Sequence, residues 1–362
     1  MTALPDRLAA RTLELVDIPS ESGSEARIRE HLLGLVPPAL APEYAGDEAY
    51  LFVPERRPGT PLVLLGGHYD TVPAQGNLPG RIEDGAVHGL GASDMKGGLA
   101  VAIELVRGLS ERARGPYDVA LLLFGREELP VEHDPLPALF ESSRAAHETE
   151  LAILLEPTDG AIQAGCLGNV IARLTVYGTS GHSARPWLAE NAIAIAIEAL
   201  RPLVSLEHRE ADVEGLRFVE ALSVTRIRAG IADNVIPGEA TATLNFRYPP
   251  DRTPDEAEDY LRSLVPETAT LAVLSNAPPG SVVTASPLVQ ALRTSADLAL
   301  EPKQAWTNVA DFTARGIDAV NFGPGHTALA HRRDERVEIS ALVHAYETLW
   351  GFLTGAMRED AA

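Results

Sequence analysis

The sequence has a single cysteine, Cys166, among its 362 residues. One thiol excludes a disulfide framework within the chain, so we expect a reducing compartment such as the cytoplasm. The sequence also lacks an apolar run of the roughly 18 residues that a membrane-spanning helix needs. Residues 1–20 have no long apolar stretch after a basic start, and they predict an amphipathic helix instead of a secretory signal peptide.

Basic residues are scarce, because 30 lysines and arginines face 51 aspartates and glutamates and give a formal net charge of −21. Such a chain repels phosphate backbones and anionic lipid surfaces, so we expect neither nucleic acid nor a membrane as a partner. An anionic substrate would need a local cationic site to bind against this field. The length, together with the 45% hydrophobic content, predicts two domains with packed interiors.

The order of the predicted elements indicates two kinds of domain. Short apolar runs typical of buried strands occur at 61–67, 118–125, 150–156 and 318–325. Helical patterns separate the first three runs, which predicts an α/β fold with a mainly parallel central sheet and helices on both faces. Residues 169–278 follow the order β-α-β-β-α-β of a ferredoxin-like sandwich. We therefore predict one domain made of 1–168 and 279–362, interrupted by a smaller α+β domain.

Side chains that bind metal ions follow these apolar runs. Ligands of α/β sheets lie beyond the carboxyl ends of the strands, so residues that are distant in sequence are expected to converge there. The candidates, in chain order, are His68, Asp70, Asp94, Glu127, Glu128, Glu156, His326 and His331.

The chemistry of these side chains favours a pair of divalent ions. His68 and Asp70 point the same way in an extended strand, so Asp70 can hold the ring N–H of His68. Imidazole and carboxylate without thiolate suit zinc, cobalt or manganese in a catalytic site, and argue against a structural zinc site. Five ligands are too many for one tetrahedral ion. They suit two ions that share a bridging carboxylate. These five ligands are His68, Asp94, Glu128, Glu156 and His331.

The adjacent acids Glu127 and Glu128 oppose each other's ionisation unless a cation lies close to them. At the end of a strand they can splay around one site, where one binds a metal ion and the other accepts a proton from water. This arrangement predicts hydrolysis. Each pair of polar residues taken alone is more typical of an ordinary protein surface, and His326 competes with His331 as a ligand.

Seven segments match, in order, one superfamily along nearly the whole chain: GHYDTVP, GLGASDMKGG, REE, LLEPTDG, GTSGHSARPWLAENAI, ADNVIPGEATATLNFRY and AHRRDERVEI. The chain thus resembles the zinc aminoacylases and carboxypeptidases, which are dizinc metallohydrolases. The resemblance implies a catalytic domain interrupted by a ferredoxin-like lid, which is often the dimer interface. The segment HRRDERV also favours His331 over His326.

The resemblance further implies how the ligands are shared between the two ions. His68 and Glu156 would bind one zinc ion, and Glu128 and His331 would bind the other. Asp94 would bridge the two ions, and a cis peptide bond would follow it.

Roles for other residues are also carried over from the resemblance. Glu127 would be the general base and proton donor, and Asp70 would orient His68. His182 of the lid would stabilise the oxyanion in the site of a neighbouring subunit. Some members have an arginine near the position of Cys166, and Arg185 is the candidate replacement here. The positions implied to contact an anionic N-acyl amino acid are Asn234, Arg247, Arg185, Gly323 and Thr327.

Segments such as QAGCLG and SGHSARPWLAENAI are most similar to the desuccinylase branch of the superfamily. This resemblance implies hydrolysis of N-succinyl-LL-2,6-diaminopimelate to succinate and LL-2,6-diaminopimelate. The same ligands would serve a deacetylase of acetylornithine or acetyl-lysine, a dipeptidase or a carboxypeptidase, so they do not separate these substrates. A non-catalytic protein on this fold would have lost ligands, whereas all five are present.

Overall fold

The computed structural model describes residues 3–112 and 115–356. Its α-helices are α1 (Leu4–Val16), α2 (Ala26–Leu35), α3 (Gly97–Ser110), α4 (Leu136–Ser142), α5 (Arg144–His147), α6 (Ala192–Val204), α7 (Pro254–Leu264), α8 (Pro287–Ser295), α9 (Val309–Thr313) and α10 (Ile339–Thr354). Its strands are β1 (Leu40–Gly46), β2 (Ala49–Pro54), β3 (Leu62–His68), β4 (Arg81–Glu83), β5 (Ala86–His88), β6 (Asp118–Phe124), β7 (Thr149–Pro157), β8 (Ile162–Cys166), β9 (Gly168–Tyr177), β10 (Gly181–His182), β11 (Arg209–Val213), β12 (Leu216–Ala229), β13 (Val235–Ile236), β14 (Glu239–Tyr248), β15 (Ala269–Ala277), β16 (Leu300–Lys303), β17 (Asp318–Gly323) and β18 (Arg336–Glu338).

The chain divides into two compact units. The first unit comprises Met1–Gly165, Val283–Glu301 and Thr307–Ala362, and the second comprises Cys166–Val282 and Pro302–Trp306. The second unit is therefore formed by an insertion into the first, with one short return segment.

The first unit is built on an eight-stranded sheet in the order β1-β2-β6-β3-β7-β17-β8-β16. Its central strands β6, β3, β7 and β17 are parallel neighbours, while β1, β2 and β8 pair antiparallel towards the edges. Every residue of β3 is buried. Because successive side chains of a strand point to opposite faces, both faces of the sheet are covered there, as in other α/β domains. The predicted α/β fold with a mainly parallel central sheet is confirmed.

The second unit contains an antiparallel sheet in the order β11-β12-β14-β9-β15. Strands β9, β12, β14 and β15 with helices α6 and α7 give the predicted β-α-β-β-α-β order of a ferredoxin-like sandwich. One face of the sheet packs with both helices around residues such as Leu174, Leu244 and Phe246. The opposite face carries the alternate, mostly polar side chains.

Two predicted details differ from the structure. The pattern at 187–203 predicts one helix, but α6 begins at Ala192 because the side chain of Asn191 accepts the N–H of Ile193 and caps it. The spacing of Ser22 and Glu25 predicts a capping box before α2. Instead, Glu25 accepts the N–H of Gly23, while the hydroxyl of Ser22 is used elsewhere.

Candidate metal centre

The first candidate residues lie at the carboxyl end of β3. The imidazole of His68 is fully buried, and its Nδ1 lies 3.1 Å from the backbone oxygen of Asp70 and 3.4 Å from Oδ1 of that residue. An acceptor on Nδ1 fixes the ring and leaves Nε2 to face the other polar side chains of the site.

Asp94 reaches the same site from the loop before α3. It lies at a kink in the turn Ala92–Lys96, where its own backbone dihedral angles are not helical, and a cis peptide bond joins it to Met95, as expected from the resemblance. One oxygen of its carboxylate, Oδ1, lies 3.1 Å from Nε2 of His68, and the other, Oδ2, lies 3.5 Å from Nε2 of His331. A single carboxylate thus contacts two imidazoles from distant parts of the chain, which is the geometry needed of a bridging ligand.

The two adjacent glutamates occupy the turn after β6. Oε1 of Glu128 lies 2.9 Å from Nε2 of His331. The candidate ligand atoms of His68, Asp94 and Glu128 lie within 4.8 Å of one another. The structure therefore brings together residues that follow β3 and β6, the loop before α3 and the segment before β18.

Glu156 joins the cluster from the end of β7, where it is buried, and its Oε1 lies 3.7 Å from Nε2 of His68. Close packing by two glycines positions this end of β7. A Cβ atom on Gly98 would lie 2.1 Å from the backbone oxygen of Leu155, and one on Gly323 would lie 2.3 Å from the same oxygen. Both positions require glycine because the backbones of α3 and β17 approach β7 too closely for a side chain.

The electrostatics of the cluster are dominated by its carboxylates. Burial lowers the pKa of His68, but hydrogen bonds to two aspartates outweigh it and hold the pKa well above its ordinary value. The hydrogen bond that His331 donates to the carboxylate of Glu128 raises the pKa of His331 to about 9. Burial raises the pKa of Glu127 well above its ordinary value, and the neighbouring Glu156 and Glu128 raise it further. The cluster therefore attracts positive charge.

The donor set is compatible with divalent metal ions. The five candidate ligands provide two imidazoles and three carboxylates, which suit zinc, cobalt or manganese. Divalent cations would supply the positive charge that this concentration of carboxylates favours. The residues present thus fit a pair of such ions.

Asp70 also binds the backbone of the turn that contains Glu127 and Glu128, a contact that the sequence pattern does not predict. Its Oδ1 accepts the backbone N–H of Glu127 at 3.1 Å, and its Oδ2 accepts that of Glu128 at 3.2 Å. The hydroxyl of Ser22 donates to the same Oδ2 at 2.6 Å. The spacing of Ser22 and Glu25 indicates only a helix cap, and the residues next to Ser22 give no local signal of this contact.

Glu335 is a second residue that sequence reasoning missed. It is buried, and its carboxylate accepts the backbone N–H groups of Gly91, Ser93 and Asp94 at 3.1, 3.0 and 3.0 Å. Burial raises its pKa to about 7. Glu335 therefore fixes the loop that presents Asp94. The segment HRRDERV contains two acidic residues, which was the only sequence signal for this contact. The segment does not indicate which of the two acids is buried.

The loop after β17 contains the remaining candidates of the first unit. The N–H of Gly323 donates to the hydroxyl of Thr158 at 3.3 Å. Thr327 donates its hydroxyl to Oδ2 of Asp159 at 2.5 Å, and Nδ1 of His326 lies 2.9 Å from Oδ1 of Asp159. His326 is thus paired with Asp159, while His331 contacts Asp94 and Glu128.

Four further candidates lie in the second unit. His182 is on β10, which pairs with β13, and the N–H of Ser183 donates to the backbone oxygen of Asn234 at 3.0 Å. The N–H of Arg185 donates to the backbone oxygen of His182 at 2.8 Å. His182, Arg185 and Asn234 therefore form one exposed loop cluster. Arg247 lies on β14, where its Nε donates to Asn245 at 3.0 Å.

A family model confirms the class of protein to which the fold and this site point. The chain belongs to peptidase family M20/M25/M40, whose model matches residues 64–354. It is thus a member of a hydrolase family, as the resemblance implied.

Named relatives align over nearly the whole chain. A Mycobacterium tuberculosis protein, named provisionally as a succinyl-diaminopimelate desuccinylase, is 37% identical over 350 residues, which cover 95% of this chain and 97% of that protein. The succinyl-diaminopimelate desuccinylase of Corynebacterium glutamicum is 33% identical over 356 residues, with 95% of each chain covered.

Solved structures share the fold at low sequence identity. Aminopeptidase PepT from Bacillus cereus superposes with a TM-score of 0.76 and 18% identity over 97% of this chain and 98% of that one. A Bacillus subtilis protein described as a dinuclear metal-binding peptidase of family M20 superposes with a TM-score of 0.67 and 14% identity, over 98% of each chain. Within residues 3–112 and 115–356, every helix is too short or too polar to cross a lipid bilayer.

Proposed function

We propose that this protein is a dizinc amidohydrolase that cleaves N-succinyl-LL-2,6-diaminopimelate to succinate and LL-2,6-diaminopimelate, in the synthesis of lysine and peptidoglycan precursors. The main support is the carboxylate of Asp94, whose two oxygens contact the imidazoles of His68 and His331. The relatives named for this reaction support the choice of substrate, since they cover 95% of the chain. The single buried Cys166 supports a cytoplasmic location.

The proposed ligands form two sets that meet at Asp94. His68 and Glu156 hold one ion, since Oε1 of Glu156 is 3.7 Å from Nε2 of His68. Glu128 and His331 hold the other, and their side chains approach to 2.9 Å. Zinc is the first choice for a nitrogen and oxygen set, and cobalt or manganese also suits it.

Glu127 is the proposed general base. Bound divalent ions supply Lewis-acid polarisation of an amide carbonyl and lower the pKa of an attacking water. Glu127 is held at the site by the bond from its backbone N–H to Asp70, and it lies among the carboxylates that raise its pKa. A carboxylate in this position could first take a proton from water and then give it to the leaving amine.

Substrate contacts are proposed at two places. The loop with Gly323 and Thr327 lies at the end of β17 in the first unit. In the second unit, Arg185 and Arg247 supply guanidinium groups that suit carboxylates, and Asn234 supplies an amide. An anionic N-acyl amino acid needs such local positive charge on a chain with a net charge of −21.

We further propose that residues 1–168 and 279–362 form the catalytic domain and that 169–278 form a lid that also makes a homodimer. Strand β11 pairs only with Leu216–Glu220 of β12, so among the described residues the rest of this outer edge has no partner strand. The edge carries the exposed Ile227, and α6 carries the exposed Ile197 and Val204. An open edge beside apolar side chains favours pairing with a second copy.

A substrate panel tests the proposed function. The zinc-loaded protein is assayed for kcat/KM on N-succinyl-LL-2,6-diaminopimelate, acetylornithine, acetyl-lysine and dipeptides, and its metal content is measured. We expect about two zinc ions per chain and a kcat/KM for the succinyl substrate at least roughly 100-fold above the others. Equal or greater activity on another compound would transfer the assignment to that substrate. A protein without bound zinc or activity would refute the hydrolase itself.

A further inference from the structure

The polar face of the sheet in the second unit gathers arginines. Arg173 of β9 and Arg226 of β12 both lie opposite Thr243 of β14, one on each side, and Arg228 lies opposite Thr241. Neighbouring strands are about 4.8 Å apart, so long side chains from both sides reach over the central threonines. Guanidinium groups from two strands therefore converge above a third.

These arginines share their face of the sheet with Glu239 of β14. All three are exposed, and within the described part of the chain none of them forms an ion pair. Arg209, on the same sheet, instead lies 2.7 Å from Asp251 and 2.8 Å from Glu220. In a chain with 51 acidic and 30 basic residues, three arginines gathered beside the acidic Glu239 on one face are unusual. Their mutual repulsion is relieved by an anion bound among them.

A groove of about 480 Å³ runs between these side chains. Its lining consists of Arg173, Thr175, Tyr177, Arg226, Arg228, Glu239, Thr241 and Thr243. Tyr177 and Glu239 lie opposite each other on β9 and β14 and mark one end. The groove thus combines positive charge, hydroxyl groups and, at the Tyr177 end, an exposed aromatic ring.

We propose that this groove binds a small molecule that carries a diphosphate or triphosphate group. Each guanidinium presents five N–H donors in a planar fork that matches phosphate oxygens two at a time. A single carboxylate offers two oxygens, too few for three forks and the threonine hydroxyls, whereas a diphosphate offers enough acceptors. None of the lining residues is a proposed metal ligand, general base or substrate contact, so the site goes beyond the proposed function.

Calorimetric titration of the zinc-loaded protein with ADP, AMP and adenosine tests the site. We expect ADP to bind more tightly than AMP, and adenosine to bind most weakly. The combined substitutions Arg173→Gln, Arg226→Gln and Arg228→Gln are expected to raise the Kd for ADP by roughly 100-fold, because the charge-assisted hydrogen bonds are lost. The three side chains are exposed, so the variant is expected to unfold at the wild-type temperature.

A matched control removes the same charge elsewhere through Arg81→Gln, Arg144→Gln and Arg217→Gln, at exposed positions. This control is expected to keep the wild-type Kd for ADP. Equal weakening in both variants would overturn the proposal in favour of non-specific attraction. Unchanged binding in the groove variant would overturn it in favour of another location, such as the metal centre. Absence of ADP binding to the wild type would also overturn the proposal. If the groove variant alone then showed a salt-dependent loss of kcat/KM, the arginines would instead steer the substrate.

Discussion

Asp70 accepts a hydrogen bond from the backbone N–H of Glu127, with 3.1 Å between its Oδ1 and the nitrogen. The same Oδ1 lies 3.4 Å from Nδ1 of His68. One buried carboxylate therefore sets the orientation of a proposed metal ligand and the position of the proposed general base. Any change in Asp70 is transmitted to both.

Substitution Asp70→Asn tests this double role. The amide keeps the shape but loses the charge, and it presents only one acceptor oxygen to three donors from the backbone and Ser22. We expect zinc affinity to fall by about 10–100-fold, as for other residues that orient metal ligands. We also expect kcat to fall when zinc is saturating, because the glutamate turn is loosened. Zinc titration and steady-state kinetics measure the two effects. Asp259→Asn, at an exposed position of the second unit, serves as the control and is expected to leave both values unchanged.

Substitution Glu127→Gln separates metal binding from proton transfer. The five proposed ligands remain, so we expect zinc content to stay at the wild-type level. The amide cannot accept the proton of water, and kcat is expected to fall by at least about 10²–10⁴-fold. Metal analysis and kinetics on the same preparation check both statements. Glu132→Gln, an exposed change in the neighbouring turn, is expected to retain activity. Near-normal turnover by Glu127→Gln would exclude Glu127 as the base.

Glu335 is expected to contribute to stability through the loop that it holds. Glu335→Ala leaves three backbone N–H groups without acceptors, and each buried unpaired donor costs about 1–3 kcal/mol. Glu335→Gln keeps one oxygen, which suffices for the Ser93 and Asp94 bonds that share Oε1, so its loss is expected to be smaller. Urea unfolding measures the difference. Glu338→Ala, exposed on β18, is the control, and an equal loss there would contradict the assigned role.

A buried pair of carboxyl groups away from the metal centre predicts a pH dependence of stability. Asp134, after the turn Val131–His133, lies close enough to Asp311 on α9 for the two carboxyl groups to oppose each other's ionisation. Burial, followed by the charge of Asp311, raises the pKa of Asp134 to about 8, although the hydrogen bond from Leu136 and the charge of Arg315 offset part of the rise. The native state thus holds a proton that the unfolded chain releases near pH 4.

Because this pKa is raised in the folded state, the stability contributed by protonated Asp134 is present in full below about pH 4 and is lost as the pH rises towards 8. Asp134→Asn cannot ionise, and its oxygen still accepts the N–H of Leu136. Relative to the wild type, we expect its free energy of unfolding to gain roughly 2–4 kcal/mol between pH 5 and 8. Denaturant unfolding across this range measures the gain. A parallel shift in the exposed control Asp297→Asn, or a constant difference at all pH values, would contradict the expectation.

Mixed dimers test the proposed role of His182 at the site of a partner subunit. His182→Ala is expected to lower kcat by about 10²–10³-fold with zinc content unchanged, the usual cost of removing one oxyanion donor. A dimer of one His182→Ala chain and one Glu127→Gln chain has one site with both groups intact. We expect activity to recover when the two inactive variants are mixed and exchanged. No recovery in dimers verified by mass spectrometry would place the action of His182 within its own chain.

Much of this protein was determined by local sequence. Alternating and helical apolar patterns predicted the α/β unit and the ferredoxin-like unit, because side-chain periods of 2 and 3.6 residues reflect burial directly. The polar residues after β3, β6 and β7 were found because parallel strands end at one edge of a sheet. The two-residue spacing of His68 and Asp70 predicted their contact for the same local reason.

Only the tertiary structure decided which of the competing polar residues turn towards one another. Spacing alone left His326 and His331 open, and packing places His326 against Asp159 and His331 against Glu128. Ser22 had a plausible local partner in a helix cap, yet its hydroxyl donates to Asp70, and Glu335 gave no sign that it would accept three backbone N–H groups. A hydrogen bond between two distant loops forms only if the fold of the whole chain brings the loops close together. The sequence around each loop does not specify how far apart the two loops lie.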